Sequence, residues 1–323
     1  MPHAIVIHET GGPEKLRWEE ATVPAPGPGQ VRIRHTAIGL NFIDVYHRIG
    51  LYKLPLPTGI GQEAAAVVEE LGPGVTSLSK GDRVVYTGLI GAYSQERLVP
   101  ADRLVKLPAD IDDATAAAVF LKGLTVDVLV RRVFPLRPGH TVLLHAAAGG
   151  VGSLLVPWAK SLGATVIATV GSKEKATLPK ANGADHVLVT SEENFVTRVK
   201  EITSGRGVDV AYDSVGKDTV PGSLESLASR GWLVTFGQSS GSPAPIELSA
   251  LGGARSLYVT RPSLFAYIPT RPELEDSAAQ LFNVLEKGIV KVAPPRKFAL
   301  KDAAEAHRAL EARQTTGSVV FTP

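Results

Sequence analysis

The stretch Ala146-Ala147-Ala148-Gly149-Gly150-Val151-Gly152 is made almost wholly of side chains no larger than a methyl group, and it follows the apolar run Thr141-Val142-Leu143-Leu144. A turn of this kind suits one chemistry. At a helix start its backbone N–H groups can hold a diphosphate, and larger side chains would keep the backbone away from the phosphate oxygens. The pattern is A-x-G-x-x-G, with Ala147 where the dinucleotide fingerprint carries its first glycine, and Ala148, Gly149, Gly150, Val151 and Gly152 are the expected contacts. Roughly 20 residues on, an NAD site carries an acid for the adenosine ribose. Here Gly171 stands at that point, followed by Ser172, Lys173 and Lys175. A glycine leaves room for a 2′-phosphate, and a hydroxyl with ammonium groups stabilises its charge, so the expected cofactor is NADPH.

Other chemistries are thinner. The chain has no cysteine, which removes disulfides, thiolate nucleophiles and Cys-based zinc sites. Its 8 histidines show no H-x-x-x-H spacing. Asp44, His47 and Glu63 could meet in space around a metal, but solvated or core-satisfied roles are the preferred reading, and the site is read as metal-free. Lys plus Arg (34) nearly balances Asp plus Glu (32), which offers no large field for nucleic acid or a membrane. No apolar run reaches the roughly 18 residues of a membrane span, and the first residues lack the basic start of a signal peptide. A cytoplasmic protein is expected.

These residues need elements to position them. Residues 153–163 are apolar on one face and close on Gly163, which predicts a helix in spite of Pro157. Residues 164–170 are β-branched and apolar, a buried strand; strand, glycine turn, helix and strand thus follow in about thirty residues. Residues 208–213, 231–237 and 256–260 read as further strands, the first two running into small polar loops. Ligands in open α/β sheets lie beyond the carboxyl ends of strands, so Ser214, Phe236, Gly237 and Ser239 are expected at the nicotinamide half. Before residue 122 the texture changes. Short strands at 31–34, 63–70 and 84–86, broken by Pro and Gly, predict a β-rich, barrel-like domain. Residues 271–288 and 298–310 predict helices and 317–321 a closing strand, a tail that completes the first domain.

Several stretches follow in order along nearly the whole chain: Gly39-Leu40-Asn41-Phe42-Ile43-Asp44-Val45-Tyr46-His47-Arg48, Leu121-Lys122-Gly123-Leu124-Thr125, the glycine turn, Tyr212-Asp213-Ser214-Val215-Gly216, Phe236-Gly237-Gln238-Ser239-Ser240-Gly241 and Leu257-Tyr258-Val259-Thr260-Arg261-Pro262. As a set they resemble the medium-chain dehydrogenase/reductase superfamily, and within it the zinc-free quinone oxidoreductases related to ζ-crystallin. The resemblance implies an α/β fold: a Rossmann doubly wound parallel sheet domain at 125–265, and a β-rich GroES-like barrel catalytic domain split between 1–124 and 266–323. Asn41 and Gln62 stand where zinc members of the superfamily carry a cysteine and a histidine ligand. The resemblance also points to Asn41, Tyr46, Tyr52 and Arg261 around the substrate, with Thr125 near the nicotinamide and both Asn41 and Thr125 touching the cofactor. Close bacterial relatives place a tyrosine beside the 2′-phosphate; this chain has Thr190 and Ser191 there, leaving Ser172, Lys175 and Arg313 to hold it.

Without metal or thiolate, chemistry reduces to positioning: a nicotinamide hydride held against a flat, electrophilic acceptor in a dry interdomain cleft. Quinones suit such a site, since their oxygens need only hydrogen-bond donors as charge develops. Asn41 and the two phenols can donate to an acceptor oxygen or to the nicotinamide ribose, and the phenols can stack on a ring; both tyrosines read equally well as ordinary half-buried residues. Asp44 is read as an orienting partner or a surface acid. The expectation is an NADPH-dependent quinone oxidoreductase. An NADPH-dependent enone or alkenal reductase is the alternative, and a nucleotide-dependent RNA-binding or crystallin-like protein a second, which the balanced charge argues against. The expected partners are a small quinone and a second copy of the chain, paired through the late strand at 257–260 if it lies at a sheet edge.

Overall fold

The computed structural model describes residues 1–323, which form two compact units: residues 1–122, 270–282 and 292–323 make one, residues 123–269 and 283–291 the other. The first starts with β1 (His3–Ile7), β2 (Arg17–Glu20), the long β3 (Gln30–Leu40) and α1 (Phe42–Arg48). It continues through β4 (Thr58–Gly59), β5 (Glu63–Leu71), β6 (Arg83–Thr87), β7 (Glu96–Pro100) and β8 (Val105–Lys106), and leads into α2 (Asp113–Asp127). Alternation organises it. Along β3, Val31, Ile33 and Ile38 join a core with Ala64, Ala66, Val84, Tyr86, Tyr93 and Phe321. Arg32 and Arg34, of opposite phase, pair at the surface with Glu70 and Glu69 of β5. Register shifts in the β3–β5 ladder, at Arg32/Ile33 and His35/Ala37, bend the strand as a curled, barrel-like sheet requires.

The second unit alternates strand and helix: β9 (Thr141–Leu144), α3 (Gly150–Ser161), β10 (Thr165–Val170), α4 (Thr177–Ala181), β11 (His186–Val189), α5 (Phe195–Ile202), β12 (Val208–Asp213), α6 (Val220–Glu225), β13 (Leu227–Thr235), β14 (Tyr258–Thr260) and α7 (Leu264–Tyr267). Its six strands lie in the order β11-β10-β9-β12-β13-β14, every neighbouring pair parallel. This is the Rossmann order, with the reversal between β9 and β12. Val142, Leu143 and Leu144 of β9 are all fully buried, as a strand covered on both faces must be. β14 is shorter than the predicted 256–260 because Ser256, at φ 49°, still turns the chain.

The chain then returns to the first unit through α8 (Arg271–Glu286), β15 (Arg296–Ala299), α9 (Ala303–Glu311) and β16 (Val319–Thr322). The helix predicted over 298–310 is corrected here. Phe298 and Ala299 belong to β15, which pairs parallel with β16, and the α-helix starts only at Ala303. Ladder bonds to a strand about twenty residues later outweigh a local helical preference. β16 pairs with β3, Phe321 opposite Ile38, which ties the tail to the core. No helix is long and apolar enough to cross a membrane.

Candidate functional site

In the second unit the chain leaves β9 through Ala146, at φ 53°, and Gly149 then caps α3 from an extended conformation. The sharpest bend therefore falls one residue before Ala147, where the fingerprint has its first glycine. Two hydrogen bonds hold it, Ala147 N–H to the Thr169 carbonyl at 3.0 Å and Gly149 N–H to the Ala146 carbonyl at 2.9 Å. A Cβ on Gly152 would lie 2.6 Å from both the Ala146 oxygen and the Ala147 Cα, so helix and turn meet backbone to backbone and only glycine fits. The amides of Gly150 to Gly152 have no carbonyl one helical turn earlier, and with the helix dipole they fit a dinucleotide diphosphate.

At the end of β10, Gly171 faces open space: nothing lies within 4 Å of a Cβ built there. Ser172 caps a 3₁₀ turn, Lys173–Ala176, in which the Lys175 N–H donates to the Ser172 carbonyl at 3.2 Å. Glu174 shares that turn, and a hydrogen bond from the Ser172 hydroxyl holds its carboxyl below the usual range. An acid thus stands close to Gly171 after all, one that the sequence reading passed over. Thr190 sits at the end of β11 with its hydroxyl turned to the Val170 carbonyl, 3.2 Å away. Arg313 belongs to the first unit, just past α9, at φ 57°.

The loops after β12 and β13 are stitched together. Asp213 Oδ1 accepts from Val215 N–H and Gly216 N–H, both at 2.9 Å, and from the Thr219 hydroxyl at 2.8 Å. Ser239 N–H donates to the Ser214 carbonyl at 3.2 Å, and Ser240 N–H to the Val215 carbonyl at 2.8 Å. A Cβ on Gly237 would meet the Ser214 oxygen at 2.7 Å, so these strand ends also need bare backbone. Beneath them, His145 is bonded to the hydroxyls of Thr169 and Ser223, both at 2.9 Å, and Ser223 donates its proton to Asp213 Oδ2 at 2.8 Å. Burial pushes the His145 imidazole down. Arg261 donates to Gln238 Oε1 at 2.9 Å. Thr125 lies near the end of α2, just ahead of a π-helical turn, Val128–Val133, that the Tyr212 hydroxyl pins through the Leu129 carbonyl at 3.1 Å.

In the first unit the site is made of side chains. Asn41 caps α1 in a reciprocal box with Asp44, whose Oδ2 accepts the Asn41 N–H at 2.9 Å. The Asn41 amide donates to Glu63 Oε2 at 2.7 Å, and the Lys122 ammonium stands 3.4 Å from the same oxygen. Asp44 Oδ2 also accepts the Tyr93 hydroxyl at 2.9 Å, and Tyr93 meets His307 Nε2 at 3.2 Å. Arg48, 1% exposed, reaches His307 Nδ1 at 3.0 Å and grips both oxygens of Glu311 at 2.9 and 2.7 Å. A guanidinium only donates, so His307 Nδ1 accepts; Nε2 then carries the ring proton, and the proton direction runs from Arg48 through His307 and Tyr93 to Asp44. Burial, and then the Arg48 charge, lowers His307 to about 3. Burial raises Asp44 to about 7, against the hydrogen bonds from Asn41 and Tyr93. Asp44 is fully buried, which corrects its reading as a surface acid and leaves the orienting one.

Tyr46 lies beside these groups, its ring 5.6 Å from Phe42 and 5.4 Å, edge-on, from Tyr52. His47 faces the Tyr52 ring at 5.9 Å and the Gln62 amide at 3.5 Å. Asn41, Tyr46 and Tyr52 are therefore brought together within one unit, as are the glycine turn, Gly171, Ser172, Lys175, Thr190 and the strand-end loops within the other. Sequence reasoning missed Lys122, Tyr93, His307, Arg48, Glu311, His145 and Asp213 as working parts. The one available signal was a lone acid or base inside an apolar run, as at Glu63 ahead of three alanines.

Comparison with known proteins finds a family for each part of the chain. Residues 27–109 match the alcohol dehydrogenase GroES-like domain and residues 150–281 the zinc-binding dehydrogenase domain. A quinone oxidoreductase of Pseudomonas aeruginosa is 49% identical over 100% of both chains. A 2-haloacrylate reductase of a Burkholderia species is 47% identical over 100% of this chain and 99% of its own. The crystal structure of Escherichia coli quinone oxidoreductase complexed with NADPH matches with a TM-score of 0.97 at 47% identity, covering 99% of this chain and 100% of that one.

Proposed function

The chain belongs to the quinone oxidoreductases of the medium-chain dehydrogenase/reductase superfamily, and we propose that it reduces quinones with NADPH, without a metal, as a cytoplasmic homodimer. The observation that carries this reading is full-length identity of 49% to a relative of that name, together with a glycine turn that fits a diphosphate. Residues 1–124 and 266–323 are assigned to the catalytic part and 125–265 to the cofactor part. Bound NADPH supplies the hydride. The first turn of α3, from Ala148 to Gly152, holds its diphosphate. Gly171 leaves room for the 2′-phosphate, and Ser172, Lys175, Thr190 and Arg313 bind it. Ser214, Phe236, Gly237 and Ser239 border the nicotinamide half; Asn41 and Thr125 bind its amide and ribose. Tyr46 and Tyr52 offer a stacking face and hydroxyl donors to the quinone oxygens, and Arg261, held by Gln238, adds a positive charge near them. Asn41 and Gln62 supply amides, not the thiolate, imidazole or carboxylate that zinc prefers, and the Asn41 amide is committed to Glu63.

NADPH oxidation with 1,4-benzoquinone, with and without a chelator, tests the reading. Equal activity in both is expected; activity lost to the chelator and restored by Zn²⁺ refutes the metal-free mechanism. A second reading, reduction of an activated carbon–carbon double bond, has the support of the 2-haloacrylate reductase relative. A kcat/KM higher for 2-chloroacrylate than for 1,4-benzoquinone would favour it. Dimerisation is supported by β14, which ends the sheet with an open edge and a half-exposed Tyr258 stacked on Trp232 at 4.8 Å. Sedimentation at micromolar concentration should give twice the 34.1 kDa chain mass, and Val259→Pro should halve it. A wild-type species at the chain mass rules the dimer out.

A further inference from the structure

Glu63 is a charged group that the proposed reaction does not use. It is wholly buried at the head of β5 and takes three donors: the Asn41 amide at 2.7 Å and the Lys122 ammonium at 3.4 Å on Oε2, and the Leu121 N–H at 2.5 Å on Oε1. A Cβ on Gly39 would come 2.3 Å from Glu63 Oε2, so the neighbouring strand is bare where the carboxylate passes. A carboxylate has no proton to give, and Asn41 must turn its NH₂ toward Glu63 and its oxygen away. That oxygen faces the Asp44 N–H in the capping box and keeps a second lone pair.

We propose that Glu63 is a positioning residue: held by Leu121 and Lys122, it fixes the Asn41 amide so that its oxygen, not its NH₂, meets a hydroxyl donor such as the ribose on the nicotinamide half of the cofactor. This rests on the proposed contact between Asn41 and NADPH, and it reverses the sense of that contact from donor to acceptor. Glu63→Gln tests it, because a glutamine brings one NH₂ and one acceptor to two places that both need acceptors, and Asn41 must flip. The Kd for NADPH, read from its fluorescence, should rise about tenfold, the value of one lost hydrogen bond. Adenosine 2′,5′-bisphosphate, which lacks the nicotinamide half, should bind as to the wild type. Adding Asn41→Asp restores an acceptor facing the ligand and a partner for the amide of the introduced glutamine, so the double variant should return to within about twofold of the wild type.

Equal weakening of both ligands by Glu63→Gln, or a double variant no better than the single one, overturns the proposal. Should Glu63→Gln alone not fold, Asn41→Asp is compared with the double variant. Alone it sets two carboxylates on one hydrogen bond and weakens NADPH; adding Glu63→Gln must recover the affinity, and no recovery overturns the proposal. Asn41→Ala with unchanged NADPH affinity removes the underlying contact, and the proposal with it.

Discussion

Both units bury a polar network, and the two are wired differently. In the Rossmann unit, His145, Thr169, Ser223, Asp213 and Thr219 form a compact set in which hydroxyls bridge the imidazole and the carboxylate. Its output is backbone shape: Asp213 clamps the amides of the Ser214–Gly216 loop. In the GroES-like unit the network is a line from the Lys122–Glu63 pair to the Arg48–Glu311 pair, and one Asp44 oxygen on it has no partner. Its output is the orientation of side chains at the start of α1. The hydroxyl-bridged set keeps its one carboxylate fully paired; a line of charges with an open carboxylate in the middle is exposed to pH and to the loss of any one link.

Four substitutions break or sharpen this contrast. Gly152→Val has the largest expected effect, because its added atoms meet backbone at 2.6 Å. It should abolish measurable NADPH binding in a fluorescence titration and lower stability by about 3 kcal/mol, with the first unit's network untouched. Arg48→Met comes next. It strips His307 of its donor and Glu311 of its partner, and denaturant midpoints should show a loss of about 2–3 kcal/mol. Ser223→Ala, in the hydroxyl-bridged set, should cost about 1–2 kcal/mol by the same measurement. A larger loss from Ser223→Ala than from Arg48→Met would invert the comparison. Lys175→Ala follows: the KM for NADPH should rise about tenfold while that for NADH stays level, since only the 2′-phosphate loses a charge-assisted contact.

The last test is a pH slope. Asp44 has its folded pKa raised to about 7 from 3.8, so its contribution to stability is complete at low pH and fades as pH rises between those values. His307 and His35, both lowered to about 3 by burial, act oppositely: their contribution is complete above about 6.5 and is lost as pH falls toward 3. Asp44→Asn should remove this opposing slope, at most about 1.4 kcal/mol per pH unit, so that stability between about pH 4 and 6.5 rises more steeply with pH under the histidines alone. An unchanged profile would show that Asp44 does not titrate there.

The cofactor unit was legible because its elements are local. Strand, small-residue turn, helix and strand fall within about thirty consecutive residues, and the steric need for bare backbone is written directly as glycine and alanine. Alternation at 31–34 announced the start of β3, and short runs between Pro and Gly breaks announced β5 and β6; composition excluded thiol chemistry. The helix predicted over 298–310 failed for the opposite reason, since β15 exists only because β16 lies beside it. Glu174 was passed over because its turn toward Ser172 depends on a 3₁₀ geometry that spacing does not reveal.

By itself, then, the sequence determined the strand, glycine turn, helix and strand of the Rossmann pattern, the lysines beyond Gly171 and the absence of thiol chemistry, properties of composition or of residues near one another in the chain; that Asn41 and Gln62 stand at ligand positions is what the family resemblance implies. Only the tertiary structure decided the working geometry at α1. Asn41, Glu63, Tyr93, Lys122, His307 and Glu311 are up to 270 positions apart, and β16, pairing with β3, ties to the core the tail that carries α9. Whether a buried carboxylate faces an amide, an ammonium or nothing depends on which distant backbone the barrel brings beside it, and no local pattern records that choice.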